Sequence, residues 1–373
     1  MAASSGVRLA RDQVLAYRAA VQELDGGRRG LPGILGAGIQ DNPPGRSALL
    51  ALALRGREVS SGSTALVHSV RGAMHLHHTG DLGHFAAAVR PDDGTDASVQ
   101  TFGPFGRELA ADGISLGRAT DDVAVAMNEV MADGIARTKG ELSGAVTPLV
   151  DRRIAPWCNG CGVYHVHDAL FRFATLQAGL TIEVESPTLF RFVRGTVVRR
   201  PARDGSRAEI VRLYLRLAGP VTQAHLATWL GLSPSGARRW WTLVQDDLVA
   251  VTVGQRAGWM HSGDLGDLGS SADPPAVRLL GPYDPVTALG DRELLVPHPA
   301  SRRAVWRATA NPGVLLVRGD IAGVWRQKTR SNRLTLTVHP FGELTAAQRR
   351  AAGDDAHAVA RHQGADDVET RFE

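Results

Sequence analysis

The chain has 373 residues, 43% hydrophobic and 21% charged, with a formal net charge of +4. This is an ordinary soluble globular composition, long enough for about two to three domains with cores that need no staples. It excludes a disulfide framework, because there are only two cysteines, and a membrane span, because the longest apolar run, Ala48 to Leu54, is too short.

Met1 to Gly6 shows no basic stretch leading into an apolar one, so no secretory signal is expected. The expected location is the cytoplasm, in association with the nucleoid. Of the 42 basic residues only Lys139 and Lys328 are lysines. A Schiff-base mechanism therefore has two side-chain candidates, and phosphate grip falls to arginine forks. From Arg191 to Arg256 eleven arginines face four acids, and from Arg302 to Arg333 eight bases face Asp320 alone. Two basic blocks in an otherwise acidic chain read as a polyanion-facing surface. The alternative is arginine scattered over solvated faces.

In chain order, Arg11 to Glu23 is predicted helical, Ser47 to Leu54 is apolar and helical, and Ala65 to His77 carries recognition-helix and strand material. Asp122 to Ala132 is predicted helical, Thr138 caps Lys139 to Ala145, and Pro148 to Arg153 starts another helix. Thr181 to Val184 and Phe190 to Val193 are a candidate wing. The clearest unit follows. Glu209 to Ala218 places Ile210, Leu213, Tyr214 and Leu217 on one helical face. Thr222 caps Gln223 to Leu230, Gly231 ends it, and Ser233-Pro234 opens a third helix carrying Arg238, Arg239, Trp240 and Trp241. Leu248 to Val253 and Ala257 to His261, joined at Gly254-Gln255, complete a winged helix.

Ser270 to Pro275 reads as a linker. Beyond it, strands are predicted at Leu294 to Val296, Gly313 to Arg318, Ile321 to Gln327 and Arg333 to Val338, with a tight turn at Arg318-Gly319-Asp320. A polar helix, Ala346 to His362, closes the chain. The expected fold class is α+β, mostly α: tandem winged-helix domains followed by a small C-terminal β-domain. The expected boundaries are 1–120, 121–200 and 201–268 for three winged helices, 276–345 for the β-domain, and 346–373 for a helix and acidic tail.

Four strings carry a family resemblance: GAGIQDNPPGRSALLALALR (36–55), HSVRGAMHLHHTGDL (68–82), LLGPYDPVTALGDRELL (279–295) and VRGDIAGVWRQK (317–328). Together they resemble the HTH_42 winged-helix family, which contains the azinomycin-resistance type of DNA glycosylase. The resemblance implies tandem winged helices in a C shape, a C-terminal β-domain and a concave surface for double-stranded DNA. It also implies excision of alkylated purines and unhooking of interstrand crosslinks. Gln40, Asp41 and Asn42 occupy the family's catalytic position. They depart from its pattern, since the middle residue should be apolar and the third Gln or Asp. The resemblance also puts Arg71 and His75 near the lesion.

In an extended segment Gln40 and Asn42 share one face and Asp41 takes the other. Two amides on one face can hold a water against the anomeric carbon of an exposed nucleotide. An alkylated purine is already a cationic leaving group, so water positioning and charge stabilisation suffice. The alternative is that Asp41 to Gly45 is a plain turn. Arg71, His75 and His77 are candidate DNA contacts. Equally open is Arg71 bonding a carbonyl with His75 as a buried, hydrogen-bonded histidine. Arg238 and Arg239 beside Trp240 and Trp241 are candidate phosphate contacts; Trp325, Arg326 and Lys328 are candidate DNA contacts on one predicted strand, with Arg326 and Lys328 on one face and Trp325 on the other, which also suits packing. Cys158, Cys161, His165 and His167 have metal-ligand spacing and suit a structural zinc; a redox pair or a simple loop remains open. No cofactor is expected for catalysis.

The leading expectation is a monomeric, monofunctional DNA glycosylase. The alternative is a winged-helix DNA-binding protein or regulator without chemistry. A zinc-dependent hydrolase is disfavoured, because the sequence displays no open three-ligand site with an acidic partner.

Overall fold

A computed structural model describes residues 6–25, 33–60, 62–92, 102–195, 199–271, 273–289 and 291–373. Residues 203–261 form the expected winged-helix arrangement. Helix Arg203–Ala218 buries Ile210, Val211, Tyr214, Leu215 and Leu217. Thr222 opens Gln223–Leu230 by accepting from the His225 amide, and the His225 ring accepts in return from the Thr222 amide. Gly231, at φ 66°, ends that helix in the left-handed region glycine tolerates. Ser233 then caps Pro234–Thr242 through the Gly236 amide. The hairpin Leu248–Val253 with Arg256–His261 is the wing.

The start of the chain completes this unit. Strand Val7–Leu9 adds to the wing in parallel, with Val7 opposite Val251. Helix Arg11–Val21 supplies the polar groups that the C-terminus of Arg203–Ala218 lacks. Tyr17 donates to the Arg216 carbonyl (2.8 Å), Gln22 to Leu217 (2.9 Å), and Arg18 to Gly219 and Pro220 (3.0 and 3.1 Å).

The two earlier copies do not each carry a wing of their own. Residues 65–77, expected to include recognition-helix material, form the hairpin Thr64–His68 with Met74–His78. Residues 148–153 form only short 3-10 turns, and the helix that follows is Asp168–Gln177. Both hairpins merge into one five-stranded sheet, ordered Ile39–Gln40, Met74–His78, Thr64–His68, Leu180–Ser186, Leu189–Arg194. A two-stranded hairpin leaves unpaired edges and is marginal alone, so the two join at Leu66 and Ile182. The sheet therefore crosses the boundary expected at residue 120.

Helix Ser47–Ala53 is largely apolar because it packs into two cores, with only Leu49 turned to solvent. Ala48, Ala51 and Leu52 enter the larger one with Leu66, Phe85 and Phe171. Leu50, with Leu54 just beyond the helix, enters the C-terminal core beside Trp325, Leu336 and Ala356. At its end the Arg55 guanidinium grips Asp284 with two bonds (2.7 and 2.9 Å), both side chains fully buried.

The C-terminal sheet runs Val277–Leu280, Gly313–Val317, Asp320–Arg330, Arg333–Pro340, Asp367–Phe372. Val317 pairs with Asp320 across Arg318 and Gly319, both at positive φ, which is the tight hairpin expected. One expectation fails here. Leu294 to Val296 is not a strand; Arg292–Leu295 is helical, because Asp291 accepts from the Glu293 and Leu294 amides as its cap. After helix Ala346–Gln363, the acidic tail carries a strand not foreseen from the sequence: Asp367–Phe372 pairs in parallel with Arg333–Pro340. No helix among the described residues is long and apolar enough to cross a membrane.

Candidate active site

Gln40 ends a two-residue edge strand in which it faces His75. The Asp41 amide extends the pairing by donating to the Met74 carbonyl (2.9 Å). Burial alternates along the segment: Ile39 and Asp41 are buried, Gln40 is half-buried and Asn42 is exposed. Gln40 and Asn42 thus lie away from the side Asp41 takes, as an extended segment requires.

Asp41 is turned inward and engaged. Its Oδ2 accepts from the Gly45 amide (2.5 Å). Its Oδ1 accepts from the amides of Arg46 (3.2 Å) and Ala48 (3.0 Å) and from the Ser47 hydroxyl (3.3 Å). The carboxylate expected to assist catalysis is the brace of the loop and of the helix entering the core. The turn reading of residues 41–45 describes it better. Ser47, which sequence reasoning missed, ties the same loop by accepting from the Asn42 amide (2.8 Å). Arg46 donates to Gln363 at the end of the last helix (3.1 Å).

Arg71 positions Gln40. Its guanidinium donates to Gln40 Oε1 (2.9 Å) and to the carbonyl of Trp229 at the helix–turn–helix. Burial of this cation lowers its pKa. Arg71 itself sits at φ 58°, an unusual conformation for a non-glycine residue. Of the two sequence alternatives, the bonding matches the second: Arg71, half-buried, bonds a carbonyl, and His75 and His77 are buried histidines. The His75 ring, 2% exposed, bonds the Ala73 carbonyl (2.9 Å). Burial, aided by the Arg71 charge, pulls its pKa down to about 3. His77, wholly buried, bonds Ser69 (2.8 Å) and packs on Phe85. Gly38 at φ +76° presses on that ring; a Cβ there would sit 2.2 Å from it. Half-buried Gln40, bonded by Arg71, and exposed Asn42, whose backbone amide donates to Ser47, reach the surface here between the helix–turn–helix and helix Ser47–Ala53.

Residues 34–362 match the sequence model of the family described as DNA glycosylase AlkZ-like. The chain belongs to that family. A solved structure, Streptomyces sahachiroi DNA glycosylase AlkZ, is similar in fold at TM-score 0.74. Its identity to this chain is 23%, over 98% of this chain and all of that one. No curated protein matches. The AlkZ-like match bears out the glycosylase side of the resemblance; neither match carries the tandem winged-helix label.

In this AlkZ-like chain the candidate DNA contacts divide by burial. Trp325 is 1% exposed, and its indole N–H donates to the Leu280 carbonyl (3.0 Å). It is core, because Gly313 clears the space its ring fills. Arg326 and Lys328 are exposed on the other face of the strand. On the recognition helix Trp240 packs inward beneath the Arg207 guanidinium, and Arg238 is exposed. Arg239 is held by Asp92 (3.4 Å), which also pairs with Arg207 (2.6 Å).

The cysteines come together with one histidine, not two. The ligand atoms of Cys158, Cys161 and His165 lie within 4.8 Å of one another. His167 is elsewhere: its ring stacks flat on Phe105 at 4.0 Å. The Cys161 amide, then His165, pull the Cys158 thiol down to about 7.

Proposed function

We propose that this protein is a monofunctional DNA glycosylase that releases alkylated purines from double-stranded DNA, crosslinked purines included, by attack of water. The carrying observation is the Gln40 amide, fixed by the half-buried Arg71 guanidinium, with Asn42 exposed two residues on. With one Oε1 lone pair taken by Arg71, Gln40 keeps an acceptor and two N–H groups for a water and the sugar. The N9–C1′ bond breaks and the base takes the electron pair that neutralises its alkyl-cation charge. The amide oxygens face the oxocarbenium-like carbon, and water adds to C1′ and loses its proton to solvent. The products are free base and an abasic site.

Hydrolysis without strand nicking follows from the two lysines. Lys139 is paired with Asp168, and Lys328 lies on the C-terminal sheet among candidate phosphate contacts. Arg238, Arg326 and Lys328 are the cations assigned to the DNA backbone. The protein works in the cytoplasm as a monomer and needs no cofactor for the chemistry.

One observation favours the second reading, DNA binding without chemistry: the loop's only carboxylate, Asp41, is committed to structure. A base-release assay on duplexes containing N7-alkylguanine separates the two. The expected result is free base that accumulates with wild type and falls at least about tenfold with Gln40→Ala. Gel-shift binding with no abasic product would give the second reading the field.

A further inference from the structure

We propose that Cys158, Cys161 and His165 bind one zinc ion, with the fourth coordination position open to solvent, and that His167 takes no part. The three ligand atoms lie within 4.8 Å of one another. Two thiolates and an imidazole make a soft donor set that suits Zn(II) above the hard divalent cations.

The surrounding chain is arranged as a metal ligand set requires. The hairpin strands, Trp157–Cys158 and Val163–Tyr164, are two residues each, so backbone pairing alone holds little. The turn between them folds tightly: the amides of Cys161 and Gly162 both donate to the Cys158 carbonyl (3.2 and 2.8 Å). Gly162 makes this turn at φ +66°. His165 bonds the Val166 carbonyl through Nδ1 (2.7 Å). That bond orients the ring and leaves the Nε2 lone pair for a metal.

His167 cannot join without leaving its stack on Phe105. The nearby carboxylate, Asp168, is occupied by Lys139 and Arg172 on its two oxygens. This neighbouring carboxylate is thus committed to two cations rather than free to activate a zinc-bound water, and we assign the site a structural role. It clamps a hairpin that presents Trp157, Val163 and Tyr164 to solvent.

The test uses the full chain, purified with zinc supplied, and Co(II) as an optical probe. We expect about one zinc per chain and a thiolate-to-cobalt charge-transfer band on exchange. Both thiols should alkylate about tenfold faster after chelation. Cys158→Ser, Cys161→Ser and His165→Ala should each lose the metal, and His167→Ala should keep it. Zinc below about 0.3 per chain after supplementation, or thiols equally reactive with and without chelator, overturns the site in wild-type protein, whatever the variants do. Metal loss in His167→Ala equal to that in His165→Ala overturns the three-ligand assignment. Base release plays no part in these readouts, so failure here leaves the glycosylase proposal standing.

Discussion

Asp41→Asn separates a catalytic carboxylate from a brace. The substitution keeps shape and removes one acceptor oxygen. If the amide oxygen retains the bonds from Arg46, Ser47 and Ala48, the new NH2 faces the Gly45 amide, donor against donor. Losing that charge-assisted bond and leaving a buried N–H unpaired costs about 2–3 kcal/mol. For a chain of this size that is a fall in Tm of roughly 3–4 °C. Gln40→Ala, by contrast, removes a half-buried side chain bonded only to Arg71, so its Tm change is smaller and its base-release loss larger. The assay pairs differential scanning fluorimetry with single-turnover base release well below both Tm values. Asp41→Asn should keep release within about threefold per folded molecule, since the loop amides remain near their places. A variant with native Tm and release down more than about tenfold would refute the brace and return Asp41 to the chemistry.

Three further outcomes follow. Arg71→Lys should lower kcat about tenfold with little change in DNA affinity, because a point charge cannot hold Gln40 and the Trp229 carbonyl together; an unchanged kcat contradicts its positioning role. Asp284→Ala should destabilise the protein by about 3–5 kcal/mol by stranding Arg55 in the interior, and a urea midpoint equal to wild type would deny that. His68 and His75 are held neutral by burial, with pKa values of about 3, whereas in the unfolded chain they protonate below about 6.5. The unfolded state therefore binds more protons between those values, and stability is lost as pH falls through that window. At pH 5 the loss is about 2 kcal/mol for each, so the urea midpoint should drop clearly between pH 7 and 5.

Short-range physics is legible in the sequence itself. Caps, glycine stops and the 3.6-residue period place residues 209–261 within a few positions, because Thr222, Gly231 and Ser233 act on their own neighbours; the first helix starts earlier, at Arg203. The Arg318-Gly319 turn and the alternation of Trp325 with Arg326 are local in the same way. So is the shortage of lysine, a count that no fold can alter. The tail strand carries a local signal too, masked by its acidic composition: Val368, Thr370 and Phe372 alternate with charged residues.

Tertiary structure decided what faces what. The sequence offered Asp41, His77 and Trp325 as functional groups, and each proved to be buried by a distant element or engaged by its own loop. Nothing local hints that Arg55 would meet Asp284, 229 positions away, or that strands before and after residue 120 would share a sheet. Spacing along a chain fixes which side chains share a face. Whether that face meets solvent, a carbonyl or a core depends on which segment covers it, and burial then sets charge state and role. Gln40 and Asn42 were candidates from the sequence; Arg71, Trp229 and helix Ser47–Ala53, meeting around them, leave them at the surface where chemistry can occur.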